Sequence, residues 1–207
     1  MRYKFLAMVT VCAIGAVGCD SSSGGTDAGT DSGGAIMLPD SGPAACTVPT
    51  SGFGTTEGRN FQPFTLERCD GTDYEFYGDA ENYCESTYTV VSIAAGWCGP
   101  CRAEAQLMQE FLTERYAEHN VRVVVAVIQN NDYERPDAAF CQGWTDQYGL
   151  TNPVLLDPIQ QTQVYFPAGS LPATLIVDNN GVIVHREYGV STELRTVRAE
   201  LDALLGL

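Results

Sequence analysis

Two nearly continuous runs of β-branched and apolar residues, 87–95 (TYTVVSIAA) and 121–129 (VRVVVAVIQ), constrain the fold of this chain most strongly. Such runs are typical of strands that are buried on both faces of a sheet. The stretch between them begins GPCRAEAQLMQEFL and repeats apolar side chains at helical spacing. A strand, a helix and a second strand in this order predict parallel neighbours joined by a right-handed crossover.

The remaining elements complete a mixed sheet. Residues 61–80 contain two short β-like runs around the turn CDGTD, and residues 172–189 contain two more around DNNG, a strong hairpin signal. A shorter helix is expected from Pro136 to Gly149, and Ser191 is expected to cap an amphipathic helix that closes the chain. We therefore predict an α/β fold with a mixed central β-sheet, helices on both faces and an N-terminal β extension.

The first eighteen residues have the pattern of a secretory signal peptide. Arg2 and Lys4 provide a basic start, an apolar run follows at 5–17, and small residues precede Cys19. The apolar run is too short to span a membrane comfortably. We therefore expect residues 1–18 to be removed on export.

The sequence AVGC at 16–19 resembles the lipobox of bacterial lipoproteins, which implies that Cys19 carries a lipid. Ordinary cleavage after Gly18 is the alternative. Residues 19–45 follow as a tether, since a segment rich in Gly, Ser and Asp buries too little apolar surface to fold. Residues 46–58 are interpreted as an approach segment, and the folded domain is predicted over 59–207.

The chain is strongly acidic, with a formal net charge of −15 and no lysine after Lys4. Such a surface repels nucleic acid and anionic lipid head groups. We therefore expect no nucleic-acid partner, and membrane contact only through a lipid anchor.

The cysteines indicate the position of a candidate reactive site. Six remain beyond Cys19, an even set that suits disulfides in an exported chain. Cys98 and Cys101, in the stretch WCGPC, fall between the first buried strand and the following helix. Helix N-termini favour a thiolate, and this spacing lets the second sulfur attack a mixed disulfide.

Two other interpretations of the pair are a zinc site and a structural disulfide. A structural zinc needs about four ligands, whereas the chain has no second C-x-x-C motif and its two histidines, His119 and His185, are isolated. We expect no metal. A reactive dithiol fits the position beyond the carboxyl end of a strand better than a structural disulfide does.

The motif WCGPC resembles the active site of the thioredoxin superfamily. The flanking CRAE and the segment GSLPATLIVDNNGVIVHREYG, residues 169–189, are similar to the TlpA/ResA-like, membrane-tethered thiol–disulfide oxidoreductases. The resemblance covers about residues 59–207. It implies a three-layer thioredoxin-like fold, a nucleophile at Cys98, a resolving cysteine at Cys101 and no cofactor.

The same resemblance implies a substrate-binding surface around the dithiol. Its expected members are Trp97, Gly99, Pro100, Leu171 and Pro172, with Pro172 in a cis peptide bond facing the cysteines. Leu171 stands where Thr or Val is commoner in the family, which affects substrate preference.

Glu104 is a third candidate catalytic residue, since it matches an acidic residue of the family three positions after the second cysteine. Ser92 occupies the strand position where relatives keep Asp or Asn, so Glu104 would be the group that accepts a proton from Cys101. The alternative is a solvated glutamate that only complements the helix dipole. Gln106 replaces a common proline, so a less kinked helix is expected.

Four cysteines are left for structural disulfides. We expect a short loop closed by Cys69–Cys84, which leaves Cys46–Cys141 by elimination. Four cysteines allow three pairings, and participation of one of them in a redox relay is the alternative.

The prediction is a periplasm-facing, lipid-anchored, monomeric oxidoreductase that reduces or exchanges disulfides of exported proteins and receives electrons from a membrane donor. A thiol peroxidase on the same fold is one alternative. A non-catalytic binding or copper-carrier lipoprotein is the other, although copper carriers usually space their cysteines more widely and add a well-placed histidine.

Overall fold

A seven-stranded mixed sheet forms the centre of this computed structural model, which describes residues 46–78, 83–189 and 191–207. The predicted signal peptide, the lipidation site Cys19 and the tether up to residue 45 lie outside the described residues. The strands are β1 Thr65–Arg68, β2 Asp73–Glu75, β3 Tyr88–Ala94, β4 Val121–Val127, β5 Val154–Leu156, β6 Ala173–Asp178 and β7 Ile183–Tyr188.

The strand order is β2-β1-β5-β4-β3-β6-β7. The β3–β4 and β4–β5 pairs are parallel, while the other four pairs are antiparallel. The two long apolar runs thus become neighbouring central strands, and the DNNG segment becomes the turn between β6 and β7. The predicted mixed α/β sheet with its N-terminal hairpin is confirmed.

Among the described residues, three α-helices accompany the sheet: α1 Gly99–Met108, α2 Ala138–Tyr148 and α3 Arg195–Leu205. Helix α1 continues as a π-helical segment, Gln109–Glu114. Short 3-10 turns occur at Tyr83–Glu85, Ala117–His119, Gln161–Tyr165 and Thr192–Leu194. None of the helices in the described part of the chain is long and apolar enough to cross a bilayer.

The last helix begins later than the sequence suggests. Glu193 and Leu194 have φ values of 57° and 53°, which interrupt the helical path after Ser191. Helix α3 therefore starts at Arg195, and the Ser191 hydroxyl accepts the backbone N–H of Thr196 at 3.0 Å. Ser191 thus satisfies a donor in the first turn of α3 from outside the usual cap position.

The two structural disulfides differ from the predicted pairing, which was wrong: the structure joins Cys46 to Cys84 and Cys69 to Cys141. Cys69 follows β1, and β1 pairs with β5, against which α2 packs. This long-range pairing brings Cys69 next to Cys141 on α2. Cys84 lies in the 3-10 turn before β3 and is bonded to the segment that leads into the domain.

Residues 46–58 are attached to the β6–β7 hairpin rather than separate from it. The N–H of Gly58 donates to the carbonyl of Ile183 at 2.8 Å, and Arg186 donates to the carbonyl of Thr55. At the hairpin turn, a Cβ on Gly181 would lie 2.6 Å from the ring of Pro49. The segment therefore packs on the domain at the turn end of the hairpin.

Candidate active site

The sulfur of Cys98 forms the N-cap of α1. The chain leaves β3 at Ala94, and Cys98 accepts the backbone N–H of Cys101 at 3.1 Å through its sulfur. The two cysteines form a disulfide with an S–S distance of 2.14 Å. A donor aimed at sulfur stabilises the thiolate once the bond is reduced, as does the positive end of the helix.

Access to the pair is narrow, because the residues of Cys98 and Cys101 are only 3 % and 2 % exposed. Gly99 and Pro100 between them are exposed and form the outer edge of the site. Pro100 lies in the first turn of α1, where its missing N–H leaves no helical bond unmade. A reacting disulfide must therefore approach along this small edge.

Gly96 fixes the dithiol turn against the loop after β4. Its N–H donates to the carbonyl of Gln129 at 2.8 Å, and a Cβ at Gly96 would lie 2.7 Å from backbone atoms of Asn130 and Asn131. Since no side chain fits there, the two backbones are in direct contact. The position of Cys98 is thus set by backbone packing.

Trp97 is anchored on the same loop. Its indole N–H donates to Oε1 of Gln129 at 2.9 Å, and its ring stacks on Tyr133 with centroids 5.0 Å apart. Tyr133 is 65 % exposed, so the stack presents an aromatic surface beside the dithiol. Sequence reasoning placed Trp97 in the substrate-binding surface but missed Gln129 and Tyr133, which belong to a polar loop without periodicity.

Pro172 lies at the same end of the sheet as the cysteines. The Leu171–Pro172 peptide bond is cis, as the sequence predicts. Ala173 pairs with Ile93, so Pro172 is beside the carboxyl end of β3, from which the chain runs to Cys98. Leu171 is buried, and the Pro172 carbonyl accepts the N–H of Gly189 at 2.8 Å.

Glu104 is buried rather than solvated. It is 4 % exposed and shares one face of α1 with Cys101, Ala105 and Met108, at helical spacing. Oε1 accepts the N–H of Ser191 at 3.2 Å, whereas Oε2 has no partner among the described residues. Burial raises the pKa of Glu104 to about 7, the Ser191 N–H lowers it and Glu187 raises it further.

Glu187 on β7 acts on Glu104 and was not identified from the sequence as its neighbour, and His185 lies two positions before it on the same strand. The Nε2 atom of His185 lies 3.7 Å from Oε2 of Glu187, and this carboxylate is the main cause that raises the pKa of His185. Oε1 of Glu187 is buried without a partner in the described part of the chain. Polar and apolar residues are mixed along β7, so the sequence pattern did not show that these two side chains are partners.

Ser92, on the strand before the dithiol, is also buried. Ser92 lies in the middle of β3, opposite Val125 on β4 and Thr174 on β6. It cannot supply a carboxylate, so Glu104 is the acid that α1 places on the face of Cys101. Within the residues that the structure describes, no group of three or more His, Cys, Asp and Glu side chains is arranged to hold a metal ion.

Comparisons with known proteins agree with this geometry. The Redoxin family model matches residues 57–205. A thiol-disulfide oxidoreductase ResA from Bacillus thuringiensis (strain Al Hakam) is 31% identical over 97 residues, which are 47% of this chain and 52% of the relative. A thiol:disulfide interchange protein DsbE from Allochromatium vinosum is 36% identical over 104 residues, 49% of this chain and 51% of the relative.

The chain thus spans about half the length of these curated relatives. A solved structure from Chlorobium tepidum, described as a thiol:disulfide interchange protein DsbE, superimposes with a TM-score of 0.60 at 19% identity. It covers 73% of this chain and 99% of its own, and it shows the shared fold. The chain therefore belongs to the Redoxin family, and it is similar to the ResA and DsbE thiol–disulfide oxidoreductases.

Proposed function

We propose that this protein is a thiol–disulfide oxidoreductase that reduces disulfides of other proteins with Cys98 and Cys101. The observation that carries the proposal is the sulfur of Cys98 at the N-cap of α1, bonded to Cys101 and accepting its N–H. A helix N-terminus lowers the pKa of a thiol there, and the thiolate is the attacking species. The Gly-Pro pair between the cysteines resembles reducing members of the superfamily.

The reaction begins with the reduced dithiol. The Cys98 thiolate attacks one sulfur of the substrate disulfide, forms a mixed disulfide and releases the other substrate sulfur, which takes up a proton. Cys101 then loses its proton and attacks Cys98. This step forms the Cys98–Cys101 disulfide and releases the second substrate sulfur as a thiol. Two electrons pass to the substrate, and an external dithiol donor must return them.

Glu104 is proposed to accept the proton of Cys101. One turn of helix separates the two residues, and both belong to the buried face of α1. A pKa of about 7 is close enough to that of an ordinary thiol, about 8.5, for transfer in either direction. Glu104→Gln should slow the resolution of the mixed disulfide more than its formation. Equal slowing of formation and resolution would contradict this role of Glu104.

We further propose export and attachment through a lipid on Cys19, with exported proteins as substrates, a membrane protein as electron donor and a monomeric state. The support is the leader pattern and AVGC at 16–19. Membrane fractionation of the native chain and of Cys19→Ala tests the anchor. A Cys19→Ala chain that stays with the membrane, or a mature N-terminus elsewhere, contradicts it.

A trapping experiment tests the central activity. The Cys101→Ser variant should form a stable mixed disulfide with its substrate through Cys98, and Cys98→Ser should form none. Wild-type protein should reduce the disulfides of insulin in the presence of dithiothreitol. If insulin remains oxidised and Cys101→Ser captures no disulfide-containing protein, the proposed function is wrong. Faster reduction of hydrogen peroxide than of insulin would favour a peroxidase instead.

A further inference from the structure

An open cavity of about 390 Å³ lies between α1 and α2, beside the dithiol. Arg102 contributes to its wall from α1, Phe140, Trp144, Gln147 and Tyr148 from α2, and Asn131 from the loop after β4. None of the described lining residues is acidic. The cavity therefore combines one cation, amide groups and aromatic rings.

Two contacts connect the cavity to the reactive turn. Arg102 directly follows Cys101, and its Nη2 atom lies 3.8 Å from the position of a Cβ on Gly99. The Phe140 ring is close enough to Gly96 that a Cβ there would lie 2.7 Å from Cζ. A substrate molecule that places a group in this cavity can therefore also reach the cysteines.

The guanidinium of Arg102 is only partly used by the protein. Nη1 donates to the carbonyl of Gly96, and Arg102 makes no ion pair with a carboxylate among the described residues. Trp144 is 4 % exposed, and its buried Nε1 has no acceptor in the described part of the chain. The guanidinium of Arg102 thus retains donors for a group from outside the protein.

We propose that this cavity binds a carboxylate of the peptide or protein substrate, an Asp or Glu side chain a few residues from the half-cystine under attack. An arginine fork suits a carboxylate, which it can bind through two parallel hydrogen bonds. The chain has a net charge of −15, so most of its surface repels an acidic segment. A single cation beside the dithiol therefore favours an acidic residue at that one place and fixes the register in which the substrate peptide binds. This inference rests on the proposed function and names its substrate class.

The test uses a set of three peptides that each contain one intramolecular disulfide. The peptides differ at one position, which lies two residues before or after a cysteine. This position carries Glu, Gln or Lys. The second-order rate of reduction by pre-reduced protein is measured in a single turnover, so no electron donor is needed. We expect a Glu:Gln rate ratio of about 5 for the wild type, and a lower rate with Lys than with Gln. High salt should reduce the ratio.

Two variants assign the preference. Arg102→Gln should bring the Glu:Gln ratio to about 1, while Arg195→Gln, which removes the same charge from the exposed start of α3, should keep the wild-type ratio. A wild-type ratio of 1, or an Arg102→Gln variant that slows all three peptides equally, overturns the carboxylate site. Failure of every peptide to react overturns the proposed oxidoreductase itself.

Discussion

Two disulfides of this protein lie at the N-terminal ends of helices, but the helix ends differ. In α2 the N-cap is Asp137, whose carboxylate accepts the N–H of Phe140 at 2.8 Å, and Cys141 lies one turn inside. In α1 the N-cap is the sulfur of Cys98, and the first turn contains no acidic residue. The donor groups and positive field are therefore directed to a carboxylate in α2 and to sulfur in α1.

The loops that the two disulfides close differ as well. Cys69 and Cys141 are 72 residues apart, whereas Cys98 and Cys101 are three apart. In the chain-entropy model the long loop contributes about 4 kcal/mol to stability and the short one less than about 2 kcal/mol. The Cys69–Cys141 disulfide thus stabilises the fold, while the Cys98–Cys101 disulfide can open at little cost. A helix start alone does not make a cysteine reactive.

The largest expected effect separates chemistry from stability. Cys98→Ser should reduce insulin turnover to background, because it removes the attacking sulfur, and it should change the free energy of unfolding by less than about 2 kcal/mol. Turnover and urea denaturation of the same preparation measure both quantities. Turnover that survives in Cys98→Ser would mean that another cysteine is the nucleophile.

Removal of the Cys69–Cys141 disulfide is expected to lower stability and to leave activity intact. Cys69→Ser combined with Cys141→Ser should lower the free energy of unfolding by about 4 kcal/mol and leave insulin reduction by the folded fraction active. Urea denaturation followed by tryptophan fluorescence measures the loss. A double variant as stable as wild type but inactive would reverse the comparison and make Cys69–Cys141 part of a redox relay.

The stability of the protein is also expected to depend on pH at α1, because the buried face of this helix carries the acid Glu104. The folded pKa of Glu104 is raised from 4.5 to about 7, so the folded state binds its proton more tightly than the unfolded state. This stabilisation is complete below pH 4.5 and is lost as pH rises to 7, a change of about 3 kcal/mol.

Glu104→Gln should remove that loss, so its stability relative to wild type should rise between pH 4.5 and 7. Denaturation midpoints of the oxidised proteins across this range measure it. Parallel stability profiles for the two proteins would show that Glu104 has an ordinary pKa.

The smallest expected effect concerns the aromatic surface, which accompanies only the α1 pair. Tyr133→Ala removes the exposed ring that stacks on Trp97 and should lower the rate of insulin reduction about threefold, since one aromatic pair contributes about 0.5–1.5 kcal/mol. The exposed Ile159→Ala provides a control of similar exposure. Equal rates for Tyr133→Ala and wild type would exclude the stack from substrate binding.

The sequence was sufficient for features that depend on local pattern. Continuous apolar runs predicted β3 and β4, Asn180-Gly181 predicted the hairpin turn, and WCGPC between a strand and a helix predicted the position of the dithiol. Each depends on residues that are close in the chain. The cis bond before Pro172 followed from the family resemblance.

Features that depend on distant pairing could not be predicted in this way. The disulfide pairing requires the register Arg68↔Leu155, which joins segments far apart in the chain. The burial of Glu104 was missed because a glutamate counts as polar in a helical pattern, and only apolar side chains were assigned to the buried face of this helix. Ala103 is exposed, and the buried face passes through Glu104 together with Ala105 and Met108.

The Cys46–Cys84 disulfide has a mechanical consequence. Cys84 precedes the first residue of β3, while Cys98 follows the last, so the covalent entry point of the domain and the reactive sulfur are at opposite ends of that strand. Seven residues of strand measure about 23 Å. A pull on the chain before Cys46 would therefore enter through the Cys46–Cys84 bond at the start of β3, one strand length away from the sulfur of Cys98.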